Sequence, residues 1–254
     1  MKDRKKIFSI LMIMILAVIA TGCKKDGKDL QETNDFDKEK AFDELIEEKD
    51  LKSYVLNTDL DVKSEVDPEK ENYTYSGNLE LIKDPLAYHS TWTSVDGKEK
   101  MESEEYVLDG SRYRKDENGT WTKEAAEGEN TEEKAAFVPK NKINGDSILK
   151  PLKQYYVMSE TDTDIVAELK SSSENIDEIK NIIFDDKDSP FYKELESIEA
   201  TFTFDRKTNY PKSFEWELKF VNEDKKVKTI RQSGSYEKVN ELEKIEIPEE
   251  LKSL

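Results

Sequence analysis

The stretch "SIEATFTFDRKTNYPKSFEWELKF", residues 197–220, decides the fold. Ile198, Ala200, Phe202 and Phe204 occupy alternate positions, as do Phe214, Trp216, Leu218 and Phe220. Glu215, Glu217 and Lys219 stand between the members of the second set. A period of two, with large apolar groups on one side and charges on the other, predicts two antiparallel strands with one solvated face. Asn209-Tyr210-Pro211 marks the turn between them.

The same period recurs on both sides of this stretch. In "SYVLNTDLDVKSEV", Tyr54, Leu56, Thr58, Leu60 and Val62 share a face, opposite Asn57, Asp59, Asp61 and Lys63. "NYTYSGNLELI" places Tyr73, Tyr75, Gly77, Leu79 and Leu81 in phase, and "AYHSTWTSVDG" places Tyr88, Ser90 and Trp92 in phase. "KMESEEYVLDGSRYRKDENGTWTKE" reads as strands broken at Asp109-Gly110 and Asn118-Gly119, both tight-turn dipeptides. Residues 53–124 thus form an antiparallel meander. "TDIVAELKS" and "KVKTIRQSGSYEKV" add strands near residues 163–171 and 226–239.

Helical spacing is confined to three segments. "KEKAFDELIEEKD", residues 38–50, puts Ala41, Phe42, Leu45 and Ile46 on one face behind an Asp37 cap. "DSILKPLKQYY", residues 146–156, reads as a short helix with Pro151 in its first turn or at a kink. "ENIDEIKNIIF" aligns Ile176, Ile179, Ile182 and Ile183, with Asn175 and Glu178 spaced as a capping box. Residues 125–145 are a polar excursion. The fold class is therefore α+β, an antiparallel sheet packed on a few helices.

The N-terminus has a different character. "MKDRKK" is basic, and "IFSILMIMILAVI" is apolar except for Ser9. That run is short of the roughly 20 apolar residues a spanning helix needs. With small residues after it, it has the anatomy of a secretory signal peptide. Ala20, Thr21, Gly22 and Cys23 resemble the lipobox of bacterial lipoproteins, with Ala20 where that motif favours Leu. The resemblance implies diacylglyceryl attachment to the Cys23 thiol and cleavage before it. Residues 1–22 are then signal, 23–37 anchor and flexible tether, and 38–254 a single domain. Two acyl chains hold a protein stably where one binds reversibly. Cys23 is the sole cysteine, so no intramolecular disulfide forms.

A formal charge of −18 excludes nucleic acid as a natural partner. The sole histidine, His89, alternates with Tyr88 and Ser90, which points it to solvent and away from catalysis. No zinc cluster, Walker loop or dinucleotide fingerprint occurs, and no cofactor or metal is implied. Asp162 and Asp164, and Asp185, Asp186 and Asp188, lack the spacing of a calcium loop and read as solvated acids.

The run "EEYVLDGSRYRKDENGTWTKE" and the ending "SYEKVNELEKIEIPEEL", read as a last strand closing at Ile247-Pro248, carry a family resemblance. Together with the lipobox and the order helix, meander, helices, meander, they resemble the half-barrel superfamily of LolA-type lipoprotein carriers and LppX/LprG-type lipid-binding lipoproteins. More narrowly, the chain resembles Gram-positive lipoproteins of unknown function related to that superfamily. The resemblance implies a curved sheet (half-barrel) around an apolar hollow, in a monomer anchored through Cys23 to the outer face of the cell membrane. The expectation is a non-enzymatic protein that binds a lipid or acylated ligand. Tyr54, Leu56, Leu60, Leu79, Leu81, Trp92, Trp216 and Phe220 are the expected lining, chosen by strand face. Two alternatives stand beside it: an interaction or sensory module with a filled core, and a wall-degrading hydrolase built on a carboxylate pair.

Overall fold

A computed structural model describes residues 37–116, 118–126, 151–184 and 186–254. The expected signal peptide, Cys23, the expected tether up to Asp37, most of the 125–145 excursion and Asp185 lie outside the described residues.

The described chain forms one antiparallel sheet of 11 strands. The first meander comprises β1 (Ser53–Ser64), β2 (Tyr73–Lys83), β3 (Leu86–Asp96), β4 (Glu99–Leu108), β5 (Ser111–Lys115) and β6 (Trp121–Ala125). The second comprises β7 (Tyr156–Glu160), β8 (Asp164–Lys170), β9 (Leu195–Asp205), β10 (Pro211–Val221) and β11 (Val227–Glu237). The spatial order is β6-β5-β4-β3-β2-β1-β11-β10-β9-β8-β7, so the first and last strands meet in the middle and β6 and β7 are the edges. The sheet is open and curved, and the α+β reading holds.

Between residues 53 and 239, every stretch read as strand by its period of two is a strand or breaks into strands. Phe202, Phe204, Phe214, Trp216, Leu218 and Phe220 are buried, as the alternation requires. The Asp109-Gly110 hairpin is a two-residue turn with both φ angles positive, 51° and 70°. Asn118-Gly119 is looser. There the loop from Asp116 to Thr120 closes on the Asp116 carboxylate, which accepts from the Asn118 and Thr120 amides. Of the Asn118-Gly119 pair, Gly119 alone takes positive φ, 80°.

The helices are shorter than their periodicity suggests. Helix α1 (Lys38–Glu44) has the expected Asp37 cap, whose Oδ1 accepts from the Lys40 amide at 3.0 Å. It stops at Glu44 because Leu45 turns extended and the Ile46 amide donates to the Asn209 carbonyl instead of to its own helix. A 3-10 turn at Glu48–Asp50 follows. Helix α2 (Pro68–Glu71) links β1 to β2.

The expected helix at 146–156 is not one where it is described. Lys153–Tyr155 is a single 3-10 turn, and Tyr156 already opens β7, drawn into the sheet by pairing with Leu169. Helix α3 (Ile176–Ile183) buries Ile179 fully, but Ile182 is 39% exposed and belongs to the outer face. Its capping box does not form: Asn175 Oδ1 accepts from the Ser172 amide, and Glu178 accepts from the Tyr155 hydroxyl. Helix α4 (Pro190–Glu194) begins at a Ser189 cap. No described helix is long and apolar enough to cross a membrane.

The C-terminal segment corrects the reading of a last strand. After β11 the chain has no strand. The Asn240 side chain accepts from the Lys52 and Ser53 amides at the head of β1. Residues 245–251 then pack Ile245, Ile247 and Leu251 on Tyr106, Tyr113, Trp121, Leu108, Ile82 and Ala87, forming a second, smaller core on the outer face of the first meander.

Candidate functional site

Antiparallel partners share a face, so the strand registers give the site row by row. On the inner face Tyr54, Leu81, Tyr88, Val107 and Arg112 form one row. Leu56, Leu79, Ser90, Glu105 and Arg114 form the next, and Thr58, Gly77, Trp92 and Ser103 another. In the opposite direction Leu60 continues to Gln232, Trp216 and Ala200. All eight residues selected by strand face lie on this one face. Tyr54, Leu56, Leu60, Leu79 and Leu81 are contiguous on β1 and β2, with Trp216 two strands away and Phe220 near the end of β10. Seven of them are at most 5% exposed, enclosed by neighbouring side chains. Trp92 alone is half-buried.

The opening at Trp92 has a local cause. Gly77 faces Trp92 across β2 and β3, and a Cβ there would fall 1.8 Å from Trp92 Cε3. The missing side chain lets the indole lie flat over the strand and stack on Tyr75, with centroids 5.0 Å apart at 25°. Burial pushes the Tyr73 and Tyr75 hydroxyls well above their ordinary pKa. Met101, on the same face and opposite Ser94, is 51% exposed.

Polar groups interrupt the face in two places. At its centre Gln232 Nε2 donates to Thr58 Oγ1 at 3.0 Å, and the neighbouring Trp216 Nε1 is buried without an acceptor among the described residues. Glu48 receives the hydroxyls of Tyr54 and Tyr236. At the β4–β5 end stands a charged network that the sequence analysis did not single out. Glu105 accepts from the Tyr88 hydroxyl and takes Arg114 Nε and Nη2 at 3.0 and 2.9 Å. Arg112 Nε lies 3.4 Å from Glu105, and Arg112 Nη1 lies 3.4 Å from Glu124. Burial and the Glu105 carboxylate hold the Tyr88 hydroxyl well up. Burial alone would lower Arg112, but Glu105 and Tyr88 outweigh it and raise it. The signal was present in strand phase: Glu105 alternates with Val107, and Arg112 with Arg114, all on the oily side.

His89 corrects its solvent-facing reading. It does lie on the outer face, but its side chain is only 19% exposed. Its ring stacks on Tyr106 at 4.0 Å and 7°, with Glu80 3.4 Å from Nδ1 and Glu104 3.4 Å from Nε2. Burial pushes Glu104 up, yet Lys115 and His89 outweigh it and hold the carboxyl below its ordinary value. Tyr106 is pushed up to about 12 by burial and then by Glu104. The acids singled out earlier are engaged locally, Asp164 with Lys212 and Asp186 with the Asp188 amide. Among the described residues no three acids, histidines or cysteines gather around a common point fit for a metal ion.

Of solved structures, the chain is similar to the S-type phycobiliprotein lyase CPES from Guillardia theta. Identity is 6%, the match covers 78% of this chain and 92% of that one, and the TM-score is 0.17. A superposition that loose transfers nothing. No curated protein matches. A family profile described as "Family of unknown function (DUF6612)" matches residues 39–253, which takes in both meanders, the helices between them and the C-terminal segment, and the chain therefore belongs to that family.

Proposed function

We propose that this protein is a cell-envelope lipoprotein, anchored through Cys23 outside the membrane, that holds an acyl ligand on the inner face of its sheet at the Trp92 end. The observation that supports this reading is the apolar inner face around Leu56, Leu60, Leu79 and Tyr75, which opens at half-buried Trp92 stacked on Tyr75. The resemblance to LolA-like and LppX/LprG-like half-barrels points the same way. Burying an acyl chain there gives about 0.8 kcal/mol per methylene before the costs of association. The ligand enters by displacing the Trp92 ring from its seat over Gly77.

The full chain with Cys23→Ser, which carries no anchor lipid of its own, should bind a fluorescent fatty-acid probe saturably. Leu79→Trp, which crowds the same face, should weaken that binding while circular dichroism stays unchanged. Absence of probe binding by the folded chain, with no lipid found by gentle mass spectrometry, would sink the ligand reading. The anchor is separable from it: Cys23→Ala should abolish incorporation of labelled fatty acid in cells, and undiminished labelling would overturn the anchor alone. A second reading, an interaction module with a filled core, draws on the near-complete burial of seven of the eight lining residues.

A further inference from the structure

We propose that two copies of this chain exchange residues 243–254, so that each docks its C-terminal segment on the outer core of the other. This goes beyond the ligand reading and stands without it.

The segment is built as a self-contained peptide. Ile245 and Leu251 are buried, and with Ile247 they pack on the aromatic patch of Tyr106, Tyr113 and Trp121. Its ion pairs are internal, Lys244 with Glu246 and Lys252 with Glu249. Its backbone hydrogen bonds are internal too, from the Leu251 amide to the Pro248 carbonyl and from the Leu254 amide to the Leu251 carbonyl. Among the described residues one hydrogen bond ties it to the sheet, from Trp121 Nε1 to Glu250 Oε1 at 3.1 Å. The patch lies over β4–β6 at one edge of the sheet, so lifting the segment breaks no strand pairing.

The chain just before the segment is pinned. The Asn240 amide donates to the Ser53 carbonyl at 2.7 Å, and the Leu242 amide donates to Ser53 Oγ at 3.2 Å. Glu243 and Lys244, both exposed, are all that separates this fixed point from Ile245, the first docked side chain. Short hinges of this kind favour exchange between copies over rearrangement within one. Extended, two residues reach about 7 Å, so the copies must lie side by side with the segments crossing reciprocally. Every contact of the segment is regained in the pair, and only the hinge differs. The partner is a second copy because the patch is already complementary to Ile245, Ile247 and Leu251. The chain's own segment competes at the effective concentration of a short tether, about millimolar. Exchange therefore belongs to crowded copies. A net charge of −18 opposes the pairing, and salt relieves it.

The test uses full chains with Cys23→Ser, mixed to equilibrium in about 0.5 M salt. One chain carries Glu250→Cys and the other Lys115→Cys, two exposed positions that both meet the Trp121 ring. A short bis-maleimide then joins neighbouring thiols. At about millimolar chain a crosslinked heterodimer should form, and its yield should fall about tenfold on tenfold dilution. Leu251→Asp on the Glu250→Cys chain should abolish it. A single chain carrying both cysteines should give the intrachain product, which reports the docked geometry. Absence of heterodimer at about millimolar, with the intrachain product formed, overturns the exchange and keeps the segment on its own chain. An equal yield when Lys115→Cys is replaced by Asp59→Cys, exposed on β1, overturns it as random collision. A heterodimer that survives Leu251→Asp overturns it as well.

Discussion

The two meanders are built from the same kind of strand and bury opposite amounts of their two faces. In β7–β11 the aromatics Phe202, Phe204, Phe214, Trp216 and Phe220 all point inward. Helices close that side: α3 packs on β9 and α4 on β10, with Phe191 edge-on to Phe220 and Phe42 of α1 against Tyr156. Its outer face is left to charges such as Arg231 with Glu215 and Lys219 with Glu196. In β1–β6 the inner face starts apolar and becomes polar by β4 and β5, while Tyr106, Tyr113 and Trp121 point outward. That outer core is closed by the C-terminal segment, with Glu250 accepting from the Trp121 indole at 3.1 Å. The difference teaches that one meander is a conventional one-sided sheet and the other divides its apolar groups between two half-cores.

The sharpest way to break this comparison is to truncate one aromatic in each half. Phe202→Ala should cost about 3–5 kcal/mol in urea unfolding, as for a fully packed core ring. Trp92→Ala should cost clearly less, because the indole is half-exposed; equal costs would mean that the halves are packed alike. The outer core comes next. Leu251 is fully buried, and Leu251→Ala should cost about 2 kcal/mol and raise protease cleavage after residue 240. No change in stability would detach the C-terminal segment from the fold.

Gly77→Ala should cost about 1–2 kcal/mol by lifting Trp92 off its strand, seen as a red-shifted tryptophan emission. An unshifted spectrum would remove Gly77 from the account of the opening. The smallest effect concerns acid. Glu104 is held below its ordinary value of 4.5, so its contribution is complete above that pH and fades as pH falls through the lowered value. Lys115→Met should shrink that acid-side loss, measured by unfolding at pH 3 to 7, with the difference between variants greatest at neutral pH. Parallel stability curves for the two proteins would exclude the ion pair as a cause.

Sequence periodicity reached β9, β10 and β1 because the central residues of each strand, such as Ala200 to Phe204, Phe214 to Phe220 and Leu56 to Val62, keep their large apolar groups in one phase. It reached Asp109-Gly110 because that turn's chemistry is local. It failed where one strand carries apolar groups in both phases: Val107 and Tyr106 are adjacent and both buried, on opposite faces. Alternation alone assigns His89 to water, because the C-terminal layer that covers Tyr106 beside it comes from a distant part of the chain. The capping box failed because Tyr155, distant in sequence, competes for Glu178. The C-terminal "KIEIP" alternates like a strand, yet Ile245 and Ile247 dock by side chain alone, and alternation cannot distinguish docking from pairing. Likewise, strand phase placed all eight lining residues on one face, but the covering of that face by helices from elsewhere in the chain is a tertiary property.

The meeting of β1 with β11 has a kinetic consequence. Their register pairs Asn57 with Ser235, and the Asn57 side chain donates to Glu237 Oε1, 180 residues away in sequence. Closing so long a loop is entropically slow, and sheets dominated by such pairings fold in milliseconds to seconds. A chain delivered N-terminus first exposes β1 as an open edge until the last strand has emerged. Folding therefore completes only once the last strand is free to pair. Before that moment the half-made sheet is open to chaperones and proteases, and the seam strands set how long the exposure lasts.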